Sequence, residues 1–206
     1  MTWILIFLTL IMGVYSAHYD FNVTENMPAG TYIGKVDGVT SSPNGTLPVI
    51  HLSPPVPFTV ELHQGAVYTF FGLDREAKSI YNFDVLVSDN GVDSLLANVT
   101  VHVLDVNDNS PVFTRQMYNV SMKVDTPVST VILMLRATDV DLRNQLVYSI
   151  VSHPSPFAID STTGTLSVEQ ALDKPGYAVR VQVSDGIFNT QAWVYITAIF
   201  PDEVVG

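Results

Sequence analysis

No cysteine occurs among the 206 residues, so neither a disulfide framework nor a thiolate metal site is available. Basic side chains are scarce: nine Lys and Arg stand against twenty Asp and Glu. That balance argues against nucleic acid or an anionic membrane as partner, because no basic patch neutralises phosphate. Beyond the N-terminus no apolar run is long enough to span a bilayer, so direct membrane insertion of the remaining chain is not expected. Helical periodicity of useful length is missing too. His18, His51, His63, His102 and His153 lack metal-ligand spacing, and no nucleophile elbow frames a serine. Enzymatic activity is therefore not expected.

What is present begins with an apolar stretch, Ile4-Leu5-Ile6-Phe7-Leu8-Thr9-Leu10-Ile11-Met12-Gly13-Val14, followed by the small residues Ser16 and Ala17. This has the length of a signal-peptide core and suits cleavage after Ser16, giving a signal peptide over residues 1–16. Four acceptor motifs for N-glycans, at Asn22, Asn44, Asn98 and Asn119, agree with export. A secreted or extracellular chain without cysteine must be stiffened by something other than disulfides.

Shifted on itself by 99 residues, the sequence pairs Tyr19 with Tyr118, Pro28 with Pro127, Thr31 with Thr130, Ile33 with Ile132, Phe58 with Phe157 and Gly65 with Gly164. Leu73-Asp74 meets Leu172-Asp173 at the same shift. At a shift of 96, Tyr81, Val85, Val87, Ser88 and Asp89 meet Tyr177, Val181, Val183, Ser184 and Asp185. The chain is thus a tandem repeat of two units of single-domain size. Val99, Val101 and Val103 alternate with Thr100, His102 and Leu104, as do Val179, Val181 and Val183 with their neighbours, a period of two. Turn signals such as Asp89-Asn90-Gly91, Thr163-Gly164 and Asp185-Gly186 separate these runs. The expectation is all-β: two tandem Greek-key, Ig-like antiparallel β-sandwiches of about seven strands each.

The copies meet at Asp105-Val106-Asn107-Asp108-Asn109-Ser110-Pro111. Asn107, Asp108 and Asn109 favour turns, and Pro111 keeps Ser110 extended, so this stretch is a short connection and not a helix. Its two carboxylates and two amides are hard oxygen donors of the kind Ca²⁺ prefers over zinc or copper. Taken alone, this is weak evidence, because Asp/Asn clusters usually mark a solvated turn.

Several further motifs, taken with this joint, resemble the cadherin superfamily: Glu25-Asn26-Met27-Pro28-Ala29-Gly30-Thr31, Leu73-Asp74-Arg75-Glu76, Pro111 with Phe113, Asp139-Val140-Asp141, Phe157-Ala158-Ile159-Asp160 with Gly164-Thr165-Leu166, and Val183-Ser184-Asp185. The resemblance covers nearly all of the chain after the signal peptide. It implies a first cadherin-like repeat over 17–105, a calcium-binding linker over 106–112 and a second repeat over 113–206. It also implies about three Ca²⁺ ions at the joint. Their ligands would be Glu25, Asp74 and Glu76 from the first repeat, then Asp105, Asn107 and Asp108 with main-chain carbonyls near Val106 and Asn109. The second repeat would give Asp139, Asp141 and Asp185, with a carbonyl of Asn144.

Opposite Asp139 and Asp141 the first repeat has Thr40 and Ser42, so it carries no upstream ligand pair. At the far end of the second repeat Glu25 is matched by Val124, Glu76 by Pro175, and the joint by Pro201-Asp202-Glu203-Val204-Val205. One calcium joint is expected, and none below it. Ala17-His18-Tyr19-Asp20-Phe21 lacks the tryptophan through which some cadherins exchange strands, so the chain resembles protocadherins more closely. The implied function is calcium-dependent cell adhesion through binding another cadherin-like chain, homophilic or heterophilic, at the plasma membrane if the chain belongs to a longer anchored product. The alternative is a secreted, calcium-stiffened structural or ligand-binding module without adhesive activity.

Overall fold

In a computed structural model, residues 16–39, 49–89, 91–142 and 145–201 are described. The signal segment up to residue 15, Asn44 and Asn144 lie outside them. Among the described residues there is no α-helix, and no helix is long and apolar enough to cross a membrane. The chain divides into two compact units, Met1–Val106 and Asn107–Gly206.

Among the described residues the first unit has seven strands: β1 (Ala17–Thr24), β2 (Tyr32–Lys35), β3 (Val49–Ser53), β4 (Phe58–Val60), β5 (Ala66–Thr69), β6 (Ile80–Asp89) and β7 (Val92–Leu104). They form a four-stranded sheet in the order β1-β7-β6-β3 and a three-stranded sheet in the order β2-β5-β4. The period of two does its work in β7, where Ala97, Val99, Val101 and Val103 are buried. β-Branched side chains suit such a pleated, half-buried surface. Facing them, Phe58 of β4 stacks on Phe83 of β6 with ring centroids 5.4 Å apart, and Val67 of β5 completes one shared core. Each large apolar side chain buried there contributes about 1.5–3 kcal/mol.

The second unit repeats the plan with β9 (Met117–Lys123), β10 (Val131–Met134), β12 (Val147–Ile150), β13 (Phe157–Ile159), β14 (Thr165–Val168), β15 (Gly176–Ser184) and β16 (Asn189–Ile199). Its sheets run β12-β15-β16-β9 and β10-β14-β13. It adds a ribbon of two two-residue strands, β8 (Val112–Phe113) and β11 (Ala137–Thr138), making nine strands among the described residues where about seven were expected. The ribbon buries Phe113 in the second core. On the outer face of this unit Arg180 lies 4.7 Å from the Trp193 ring, and Trp193 stacks on Tyr195, so the tryptophan packs against its own sheet.

The sandwiches are not wholly antiparallel. β1 runs parallel to β7, and β9 parallel to β16. Parallel neighbours need a long connection, and here the rest of the unit supplies it, because the paired strands are the first and last long ones. The consequence is positional. Thr24 pairs with Leu104, so Glu25 and Asp105 leave the sheet side by side.

The internal repeat extends to backbone detail. Gly65 and Gly164 take φ +69° and +68°, and an added Cβ would lie 1.9 Å from the Val36 carbonyl oxygen or 2.5 Å from that of Leu135. Only glycine fits a left-handed turn pressed so closely on another backbone segment.

Candidate metal centre

In the first unit the ladder of β1 continues one residue further, the Glu25 amide donating to the Leu104 carbonyl at 3.0 Å. Asn26 then turns the chain away with φ 60°, and its amide donates to the Leu73 carbonyl at 3.0 Å. The Glu25 side chain is therefore trapped between two segments, only 2% exposed. Its Oε2 accepts the Arg75 amide at 2.7 Å and its Oε1 the Val106 amide at 2.8 Å. Burying a carboxylate is costly unless charge and hydrogen bonds compensate it.

Ligand oxygens of Glu25, Glu76 and Asp105 lie within 4.8 Å of one another. Between them sits the Arg75 guanidinium, 11% exposed, in ion pairs with Glu76 through Nη2 and with Asp105 through Nε. Burial alone would lower the Arg75 pKa, but Asp105, Glu76 and Glu25 together raise it above the ordinary value. Glu76 is also pushed up: burial is the largest cause, and the negative charge of Glu25 adds to it, outweighing a backbone hydrogen bond and Arg75. Asp74 has other work. Its Oδ1 accepts the Ala77 amide at 3.0 Å, capping the 74–78 turn that presents Arg75 and Glu76.

In the second unit the linker residues are held by loop carboxylates. Asp141, 6% exposed, accepts the amides of Asp108 at 3.1 Å and Asn109 at 2.8 Å through Oδ2. Its Oδ1 accepts Asn109 Nδ2 at 2.8 Å, and the same Nδ2 donates to Asp108 Oδ1 at 2.6 Å. Asp139 Oδ1 accepts the Asp141 amide at 3.1 Å, whereas Asp139 Oδ2 is buried with no hydrogen-bond partner among the described residues. Asp185 Oδ1 accepts the amides of Ile187 and Phe188, each at 2.7 Å. Burial would raise the Asp185 pKa, but these two bonds and one from the Asn107 side chain outweigh it and hold the carboxyl below the ordinary range.

Two observations suit a hard divalent cation. The clusters offer carboxylate and amide oxygens without sulfur or imidazole. Among the described residues, the buried Asp139 Oδ2 is an acceptor without a hydrogen-bond donor, and such a group normally has an explanation. The residues present therefore fit calcium.

Of the residues singled out in the sequence, the structure gathers Glu25, Glu76 and Asp105 with the Val106 amide in one unit, and in the other it joins Asp108, Asn109, Asp139 and Asp141 by hydrogen bonds and Asp185 to Asn107. Asp74 stands outside the first group as a turn cap, and Asn144 lies outside the described residues. Sequence reasoning assigned no role to Arg75. Its place between Asp74 and Glu76 was the available signal. The histidines, scattered in sequence, partly meet in space: His18 and His102 both approach Asp20, at 3.4 and 3.9 Å. Of the glycan acceptors, Asn22 and Asn119 are exposed, whereas Asn98 is half-buried and its Nδ2 donates to Asp84 Oδ1 at 2.6 Å.

The cadherin domain family matches residues 118–197. Human protocadherin Fat 1 is 37% identical over 140 residues, 64% of this chain and 3% of that protein. Human protocadherin-11 X-linked is 33% identical over 176 residues, 80% of this chain and 13% of that protein. The chain thus spans a small fraction of these relatives' length. A crystal structure of mouse cadherin-23 EC22-24 superposes with a TM-score of 0.71 at 29% identity, covering 88% of this chain and 63% of that one. Motifs, strand order and relatives agree: the chain belongs to the cadherin superfamily.

Proposed function

We propose that the chain is an extracellular cadherin segment whose two units are joined through calcium. Glu25, Glu76 and Asp105, with Asp74 beside them, would hold ions from the first unit. Asn107, Asp108, Asn109, Asp139, Asp141 and Asp185 would hold them from the second, with main-chain carbonyls near Val106 and Asn109 and, beyond the described residues, at Asn144. About three bound Ca²⁺ would neutralise the cluster and tie oxygens of both units into common coordination shells at about 2.3–2.6 Å.

The observation that carries this reading is Glu25, a nearly inaccessible carboxylate pinned by two backbone amides with Glu76 and Asp105 within ligand distance. A charged side chain is not kept there for packing alone. Supporting it, Asp139 Oδ2 is buried and has no donor among the described residues. Eight carboxylates are proposed as ligands; without counter-charge they would repel or take up protons. Extracellular sites of this kind bind calcium at about 10⁻⁴–10⁻³ M, so the joint would be firm outside cells and loose in a chelator.

Adhesion to another cadherin-like chain is the function we assign to the stiffened segment, in line with the protocadherin relatives. Export through the N-terminal apolar segment and glycan attachment at Asn22 and Asn119 belong to the same proposal. Thermal melting of the full chain in calcium chloride and in EGTA tests the calcium half: the midpoint rises with calcium because the ion binds the folded clusters and hardly the unfolded chain. An unchanged midpoint contradicts it. Bead aggregation tests adhesion: beads coated with the chain cluster in calcium and disperse in EGTA, whereas clustering indifferent to calcium refutes the link. Calcium-dependent melting without any bead clustering would favour the secreted structural module.

A further inference from the structure

We infer that Arg75 is the resident counter-cation of the first unit's cluster, holding Glu76 and Asp105 together when calcium is absent and lowering calcium affinity because it must be drawn off the same oxygens. The inference rests on the calcium reading of Glu25, Glu76 and Asp105 and deepens it.

Three carboxylates with oxygens within 4.8 Å of one another repel unless a positive charge stands among them. Arg75 supplies it. Its guanidinium is paired with Glu76 and with Asp105, and its own backbone amide donates to Glu25 at 2.7 Å. With 11% of the side chain exposed, the pairs are shielded from solvent screening more than surface ion pairs are. The planar guanidinium can donate in two directions at once, which an ammonium on a flexible stem does less well.

Calcium coordination claims the carboxylate oxygens that these ion pairs now occupy. A ligand that must displace an existing partner binds more weakly by the free energy of that partner's interaction. A guanidinium left beside a divalent ion adds repulsion. Arg75 therefore acts in opposite directions on the two states: it orders the calcium-free cluster and loosens the calcium-bound one.

The test uses the full chain with Arg75→Met, which keeps an apolar stem and removes the charge, and Arg75→Lys, which keeps the charge and loses the fork. In EGTA, Arg75→Met melts about 2–8 °C below the parent chain. Titrated with calcium chloride it binds about tenfold more tightly, as expected for removing one positive charge from beside a divalent ion, and its melting deficit closes at saturation. Arg75→Lys falls between, and keeps the question answerable if Arg75→Met does not fold. Unchanged melting of Arg75→Met in EGTA, or weaker calcium binding by it, overturns the inference. No calcium uptake by the parent chain overturns the calcium reading instead, and that failure is recognised because the EGTA melts still separate the parent from Arg75→Met.

Discussion

Glu25 shows how much can depend on one residue placed just past a strand end. Its carboxylate satisfies two amides, those of Arg75 and Val106, and hydrogen bonds to charged groups contribute about 1.5–3 kcal/mol each. Glu25→Ala leaves both donors unpaired in a nearly closed space, so we expect a loss of about 3 kcal/mol in urea unfolding without calcium; a loss below ~0.5 kcal/mol, typical of ordinary surface substitutions, would refute the structural role. Glu76 gives a pH dependence of definite sign. Its folded pKa lies above the ordinary value of 4.5, so in the calcium-free chain its favourable contribution is full at acid pH. That contribution fades as pH rises through the folded value. Asp185 runs the other way, stabilising above the ordinary 3.8 and failing as pH drops through its lowered value. Unfolding in EGTA between about pH 4 and 7 should therefore show Glu76→Gln flattening the decline toward neutrality. An unaltered slope would refute the account of Glu76. Arg75 was passed over in the sequence because an arginine between two acids reads as solvated until the fold brings Glu76 against the buried Glu25.

At the scale of elements, the parallel pairing of β1 with β7 does the positioning, since it delivers the ends of the first and last strands to one pole. The strands themselves were legible: Val99, Val101, Val103 and their counterparts in β15 alternate as the pattern requires. Their pairing direction was not, because period two reports which face a residue occupies and says nothing about a neighbour some eighty positions away. β8 and β11 were illegible for another reason, being two residues long and without any period. The turns at Gly65 and Gly164 could be read as turns, but the close carbonyls of Val36 and Leu135 are tertiary facts. Alanine there combines a left-handed backbone cost with an overlap, so Gly65→Ala and Gly164→Ala should each cost about 2–4 kcal/mol in chemical unfolding. The loss should be greater at Gly65, where the approach is closer. A loss at either site no larger than an exposed substitution would show that the backbone relaxes freely.

At the scale of the whole molecule, the repeat register made the two units visible, and asymmetry between them pointed to the joint. Thr40 and Ser42 stand where the second unit has Asp139 and Asp141, and Val124 stands where the first has Glu25. The ligand set itself came from family resemblance, because isolated Asp and Glu pairs look like solvated turns. What the sequence withheld was the division of labour: Asp74 caps a turn, Asp185 is tied to Asn107, and Asp139 keeps one buried oxygen without a donor among the described residues. The central claim is that carboxylates of both units ligate the same calcium ions, and calorimetric titration of the full chain with calcium chloride tests it most directly. The account predicts uptake of about three ions per chain at roughly 10⁻⁴–10⁻³ M, diminished by Glu25→Gln in the first unit and equally by Asp141→Asn in the second. Undiminished stoichiometry and affinity in either variant, or no uptake by the parent chain, would contradict it.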